Sequence, residues 1–259
     1  MKLEEYMKYF CTAWELLIDL PLPKILKKSG TDDDYGIEVQ YSFPLVGLLL
    51  GIMVLIVGFL LSFLNSFAAA LIFAVPMAIL VIAKDSGRSI GSLISFIELK
   101  AENVSTITAL YNMKSDIRNI QSLSAVISIV TTMLFYLLVF FLMSLNHFYY
   151  WMIPVMVLSF TLQGTLATLP LLHNEKPLIT VPRLAQNQIW LIAGFIVLFV
   201  LIKTPYATLI TAALAFLAAR LLRRYLLSNL GGISTHIIGF AGFVFEIAAL
   251  LIGIIFMAV

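Results

Sequence analysis

The chain has 259 residues, 61% of them hydrophobic and only 12% charged. A soluble domain carries about 25% charged residues, so a soluble globular fold is excluded and an all-α, polytopic membrane bundle is expected. The net charge of +2 is spread over connecting segments and points to no nucleic-acid partner, while the single cysteine, Cys11, rules out an intramolecular disulfide and a cysteine-based metal site.

In chain order, residues 3–18 come first. Leu3, Tyr6, Met7, Phe10, Trp14 and Leu17 recur at three- and four-residue steps, against polar Lys2, Glu4, Glu5, Lys8 and Glu15. This spacing predicts an amphipathic helix. It either lies in the membrane interface, with Tyr6 and Trp14 at headgroup level, or packs on the face of the bundle. Glu4, Glu5, Glu15 and Asp19 interrupt any apolar core, so a cleavable signal is not expected. Leu20-Pro21-Leu22-Pro23 stops the helix, because each proline removes a donor and restricts the residue before it. A polar linker follows and completes a first segment, 1–42; its Asp32-Asp33-Asp34 run reads as a solvated turn.

The transmembrane domain is expected over 43–259. Seven apolar stretches mark it: Phe43–Leu64, Phe67–Ala83, Leu123–Leu145, Phe148–Leu172, Ile189–Ile202, Pro205–Leu222 and Ile237–Val259. A span needs about 20 mostly apolar residues, and the short fifth stretch is accommodated by snorkelling polar ends or by local thinning of the bilayer. Placing the N-terminus in the cytoplasm puts 1–42, the loop 84–122, 173–188 and 220–236 inside. Of the 16 Lys and Arg residues, all but Lys203 then fall on that side. Positive charge favours the cytoplasmic face, which predicts an inner (plasma) membrane protein with its N-terminus in and its C-terminus out. The outer connections, Asn65-Ser66, Asn146-His147 and Lys203-Thr204, are short, so polar chemistry gathers on the cytoplasmic side.

Four groups of residues there have chemical potential. Lys84-Asp85-Ser86-Gly87-Arg88-Ser89 joins a carboxylate, hydroxyls and cations after the second span, and such a set can bind a phosphate or a metal–phosphate; ordinary loop charge is the plainer reading. Asp116 and Arg118, beside Lys114 and Asn119, sit just before the third span and are placed to share a cavity with Asp85 or to pair at the surface. Arg220, Arg223 and Arg224 precede Gly231-Gly232, a turn that permits close backbone approach; they suit phosphate recognition or orientation alone. Glu246 lies nine residues into the last span. An ionisable group at that depth is a functional candidate, expected to face the bundle interior; a protonated carboxyl bonded to Ser, Thr or backbone is the structural alternative. Gln163, Gly164, Thr165 and Thr168 read as helix–helix packing.

These features together resemble the cobalamin-5′-phosphate synthase family (adenosylcobinamide-GDP ribazoletransferase). The resemblance is carried by Leu20-Pro21-Leu22-Pro23, by Tyr41-Ser42-Phe43-Pro44-Leu45-Val46-Gly47 opening the first span, and by Leu230-Gly231-Gly232-Ile233-Ser234. Glu246 falls where the family has the second of two C-terminal glutamates, and Met113, Asp116 and Arg118 are similar to a family loop. It implies magnesium-dependent joining of adenosylcobinamide-GDP to α-ribazole or its 5′-phosphate, with release of GMP. Corrinoid and nucleotide-loop substrates and membrane lipids are the implied partners; the oligomeric state is left open. It further implies Asp85 as a metal ligand, Asp85, Asp116 and Glu246 as catalytic groups, and Arg118 and Arg224 on substrate phosphate. The family's acidic signature after the second span survives here only at Asp85, with Ser89 at the second aspartate. Near the C-terminus, Thr235-His236 stands at a glycine–aspartate pair and Phe243 at the first glutamate. With those acids absent together, weak magnesium binding and little transferase activity are expected. Three readings follow: an active transferase with a rearranged site, a degenerate relative that binds a lipid, corrinoid or membrane partner, and a small-solute transporter.

Overall fold

Each of the seven apolar stretches contains a helix in the computed structural model, which describes residues 3–18, 36–61, 63, 66–84, 87–113, 123–172, 177–182, 187–201 and 204–257. Among these residues there are ten α-helices and no strand. They are α1 (Leu3–Leu17), α2 (Ile37–Leu61), α3 (Ser66–Ala83), α4 (Arg88–Ala101), α5 (Thr106–Asn112), α6 (Leu123–Leu145), α7 (Met152–Leu166), α8 (Gln188–Leu201), α9 (Pro205–Leu230) and α10 (Thr235–Met257). A 3-10 turn, Tyr149–Trp151, leads into α7. Four helices, α2, α6, α9 and α10, are long and apolar enough to cross a membrane; α3 and α4, bent by 74°, make a fifth if they are one broken span. The expected count of seven crossings therefore rests on the sequence pattern, because α7 and α8 are shorter than a span.

Apolar residues cover much of the outside. Phe59, Leu60, Leu71, Leu134, Leu191 and Phe195 are among the exposed large side chains. A water-soluble monomer rarely shows contiguous apolar patches of this kind, whereas in a bilayer they face acyl chains. The protein is an all-α membrane bundle.

At its centre stands α7. Apart from Ile153, every residue from Met152 to Leu166 is buried, and α2, α8, α9 and α10 all pack on it. Lipid tails are as apolar as leucine, so close packing and hydrogen bonds must hold these helices together. Glycine supplies the closeness on α2. A Cβ at Gly47 would lie 2.6 Å from the Met156 carbonyl oxygen, and one at Gly51 would lie 2.7 Å from the Ile153 Cα. On the other side of α7, Trp151 donates its indole N–H to the Ala249 carbonyl at 3.0 Å, with Gly253 beneath the ring.

Several boundaries differ from the sequence reading. The first span begins at Ile37 rather than Phe43, so the segment 1–42 is not linker throughout; Pro44 is accommodated inside α2. The sixth span does not end at Leu222: α9 continues to Leu230 and carries all three arginines on its last turns. The loop 84–122 contains two helices, α4 and α5, and α4 packs on α6 and α10. On α1, Trp14 is 6% exposed and Tyr6 is 56% exposed. Since α1 packs against α2, it is seated on the bundle, with Trp14 buried there. Cys11, on the same helix, is buried, and burial with the nearby Glu15 carboxylate pushes its thiol pKa above the ordinary value.

The α7–α8 connection is tied to the α9–α10 turn. Ile233 N donates to the Pro170 carbonyl at 2.8 Å, and Leu172 N donates to the Ile233 carbonyl at 3.1 Å. Gly231, at φ 71°, ends α9 in the left-handed conformation. A Cβ on Gly232 would meet the Pro170 oxygen at 2.5 Å. The Gly-Gly pair is thus explained by a helix stop and a close backbone approach.

Candidate functional site

Two facing stripes build the site. On α7 and its C-cap, Ser159, Gln163 and Ala167 follow at four-residue steps and share a face. On α10, His236, Gly239, Gly242 and Glu246 follow at three- and four-residue steps. Gly242 lets Gln163 lie directly against the α10 backbone, and Ser159 Oγ hydrogen-bonds the Gly242 carbonyl at 3.2 Å.

At the inner end lies an ion pair. Lys84 Nζ contacts both carboxylate oxygens of Glu246, and the two residues are 4% and 1% exposed. Ser159 Oγ, itself fully buried, is 2.9 Å from Glu246 Oε1. Gln163 Nε2 donates to Ser159 Oγ at 3.3 Å, and the Lys84 ammonium lies 5.5 Å from the Phe160 ring centroid. Glu246 is eleven residues into α10, about 16 Å along its axis at 1.5 Å per residue. Taking the two charges out of water is costly, and their contact together with the added hydrogen bonds offsets that cost.

At the outer end the stripes open into a cavity of about 230 Å³. Gln163 of α7, Ala167 just after it, and His236 and Gly239 of α10 are among the residues that line it, with Arg88 and Ser92 of α4, Glu15 and Leu17 of α1 and Phe43 of α2. Gln163 belongs both to this wall and to the hydrogen-bonded line leading to Glu246. The cavity falls below the 300–1,000 Å³ typical of drug-sized ligands, so it holds a small molecule or one end of a large one.

The sequence-predicted residues are distributed unevenly. Asp85, Asp116 and Arg118, like Asp32-Asp33-Asp34, lie outside the described residues. Glu246 faces the interior as expected, but as the partner of Lys84. Arg224 is exposed on α9 and does not border the cavity. Its neighbours Arg223 and Arg220 contact the Thr168 hydroxyl at 3.2 Å and the Phe216 ring at 5.0 Å. The positions where the resemblance would place acids lie in different surroundings: Ser89 Oγ donates to the Gly239 carbonyl at 3.2 Å, His236 borders the cavity, and Phe243 packs on Tyr136 of α6 at 6.0 Å between ring centroids.

No family model, curated protein or solved structure matches this chain.

The sequence reading missed Lys84 as a structural partner, Ser159, and the double role of Gln163. A usable signal existed for Lys84, since a carboxylate at membrane depth requires a cation or a donor and Lys84 closes an apolar helix. Ser159 is one serine in an apolar helix and carries no such signal. Magnesium demands near-octahedral oxygen coordination. Among the described residues no three His, Cys, Asp or Glu side chains converge, and Glu246, the one buried carboxylate of the site, is already engaged by an ammonium and a hydroxyl. Asp85, the metal ligand that the resemblance implies, lies outside the described residues.

Proposed function

We propose that the chain is a divergent relative of the cobalamin-5′-phosphate synthase family that has lost the metal-dependent transfer and retains a small-ligand binding site. The observation that carries this reading is the Lys84–Glu246 pair. A carboxylate that the resemblance would assign to metal-dependent chemistry is neutralised within the bundle. Among the described residues, the cavity beside it is bordered by Arg88 and His236. In this reading the protein sits in the inner (plasma) membrane with its N-terminus in the cytoplasm and its C-terminus outside, following the one-sided distribution of Lys and Arg.

The test is direct. Purified protein in lipid nanodiscs, given adenosylcobinamide-GDP, α-ribazole and magnesium, is expected to release no GMP above background. Robust magnesium-dependent release, abolished by Asp85→Asn, would establish the active transferase instead.

A further inference from the structure

We propose that the charged end of α9 binds an anionic phospholipid, with the headgroup phosphate held by Arg220 and Arg224 and the acyl chains lying along the apolar outer face of the same helix. The inference concerns a surface apart from the cavity and does not rest on reading that cavity as a ligand site.

The outer face of α9 carries exposed Leu209, Ile210, Leu214, Leu217 and Leu221, which in a membrane bundle meet acyl chains rather than water. Arg220 and Arg224 are exposed as well. They follow Leu217 at a three- and then a four-residue step, so they continue its stripe. Counted from Pro205, Arg220 lies about 22 Å and Arg224 about 28 Å along the helix, against a hydrocarbon core about 30 Å thick. Both guanidiniums therefore stand near the edge of the hydrocarbon, within reach of lipid phosphates. Trp190 of α8 marks the same level independently, since tryptophan favours the membrane interface. Its ring meets Phe216 edge-on at 5.4 Å, and the Arg220 guanidinium lies 5.0 Å from the centre of that same Phe216 ring.

The charge at this end is unbalanced. Between Glu175 and Glu246 the chain has no Asp or Glu, and no carboxylate pairs with Arg220 or Arg224 among the described residues. Arg223, turned towards the Thr168 hydroxyl at 3.2 Å, adds a third positive charge within the same two turns. Like charges one turn apart destabilise a helix, and an anion between them relieves that repulsion. A guanidinium also matches phosphate oxygens through paired hydrogen bonds. A zwitterionic headgroup brings its own cation to this positive surface, whereas an anionic headgroup brings none. Orientation alone accounts for cations at this helix end but demands no preference among headgroups, so headgroup preference separates the two explanations.

The experiment reconstitutes the full chain into vesicles of phosphatidylcholine mixed with phosphatidylglycerol, one of the two lipids being brominated in its acyl chains, and reads quenching of tryptophan fluorescence. Trp14 and Trp151 are 6% and 0% exposed, which leaves half-buried Trp190 as the reporter beside the site. Brominated phosphatidylglycerol is expected to quench more than brominated phosphatidylcholine at equal mole fraction, with a relative association constant of about fivefold, the size of one cation's attraction to an anionic surface. Trp190→Phe is expected to remove the difference. Arg224→Gln is expected to weaken the preference, and Arg220→Gln together with Arg224→Gln to abolish it. Lys100→Gln, which removes one charge from an exposed position on α4, is expected to leave it unchanged. Orthophosphate and polyglutamate, added at fixed ionic strength, are expected to have no effect. Equal quenching by the two lipids in the unmodified chain would overturn the proposal. So would a difference that survives Trp190→Phe or the double arginine variant, or one that falls equally in Lys100→Gln. Loss of the preference on adding orthophosphate or polyglutamate would assign the arginines to a free phosphate or an acidic protein instead. The unmodified chain and Trp190→Phe keep the test decisive if an arginine variant fails to fold.

Discussion

A lone charge at the centre of a membrane helix costs about 2.5–3.5 kcal/mol on insertion scales, and Glu246 stands midway along α10. Lys84 and Ser159 answer that cost with an ion pair and a hydrogen bond. Removing one partner strands the other. Lys84→Met and Glu246→Gln are each expected to destabilise the fold by about 3–5 kcal/mol, the range for breaking a buried pair. The double variant Lys84→Met, Glu246→Leu is expected to regain most of that loss, since apolar replacement of a buried pair is often neutral. Reversible unfolding in mixed micelles measures all three; a double variant as unstable as the sum of the singles would show that the two residues do not act as a pair. Glu246 itself was legible in the sequence, because an acid in an apolar run must turn inward. Its partner was not, for the two are 162 residues apart and their contact exists only once the turn after α3 is brought against α10.

Helix packing sets a different kind of limit. The glycines of α2 meet the backbone of α7, which cannot swing aside as a side chain can. Gly47→Val and Gly51→Leu are expected to force α2 away from α7 and to cost at least the 1–3 kcal/mol typical of overpacking. Gly194→Ala on α8 is the matched control: no atom lies within 4 Å of its added Cβ, and a gain of about 0.4–1 kcal/mol is expected from the stiffer unfolded chain. Thermal unfolding and the elution profile in detergent separate the two cases, and equal losses at all three sites would refute the packing argument. The Gly47–Gly51 spacing was visible in the sequence as a pair of small residues one helical turn apart. That it serves contact with α7 was not, because the pattern names a face and not the helix that occupies it.

For the molecule as a whole, orientation is the property with the largest consequence, since it decides which compartment supplies the cavity. Ser105 precedes α5, and Asn146 lies in the turn before α7. In the proposed orientation they are on opposite sides of the membrane. With Cys11 replaced, Asn146→Cys is expected to react with an impermeant maleimide in intact cells, and Ser105→Cys only after lysis. The reverse pattern would invert the topology.

Composition and periodicity by themselves determined the class and the helices. An apolar chain with so few charges cannot dissolve as a globule, and backbone groups within lipid must bond within their own segment. The positions of α2, α3 and α6 to α10 follow from that constraint, as does the inward direction of Glu246. Tertiary structure alone decided what those helices enclose. It made α7 the buried centre, drew Lys84 to Glu246, and placed Arg88, Gln163 and His236 around one cavity. The reason is that hydrophobic periodicity encodes a preference for an apolar environment, and in a membrane every helix meets that preference equally well in lipid. Which helix meets which depends on small residues, hydrogen bonds and charge pairs that act only between segments distant in sequence.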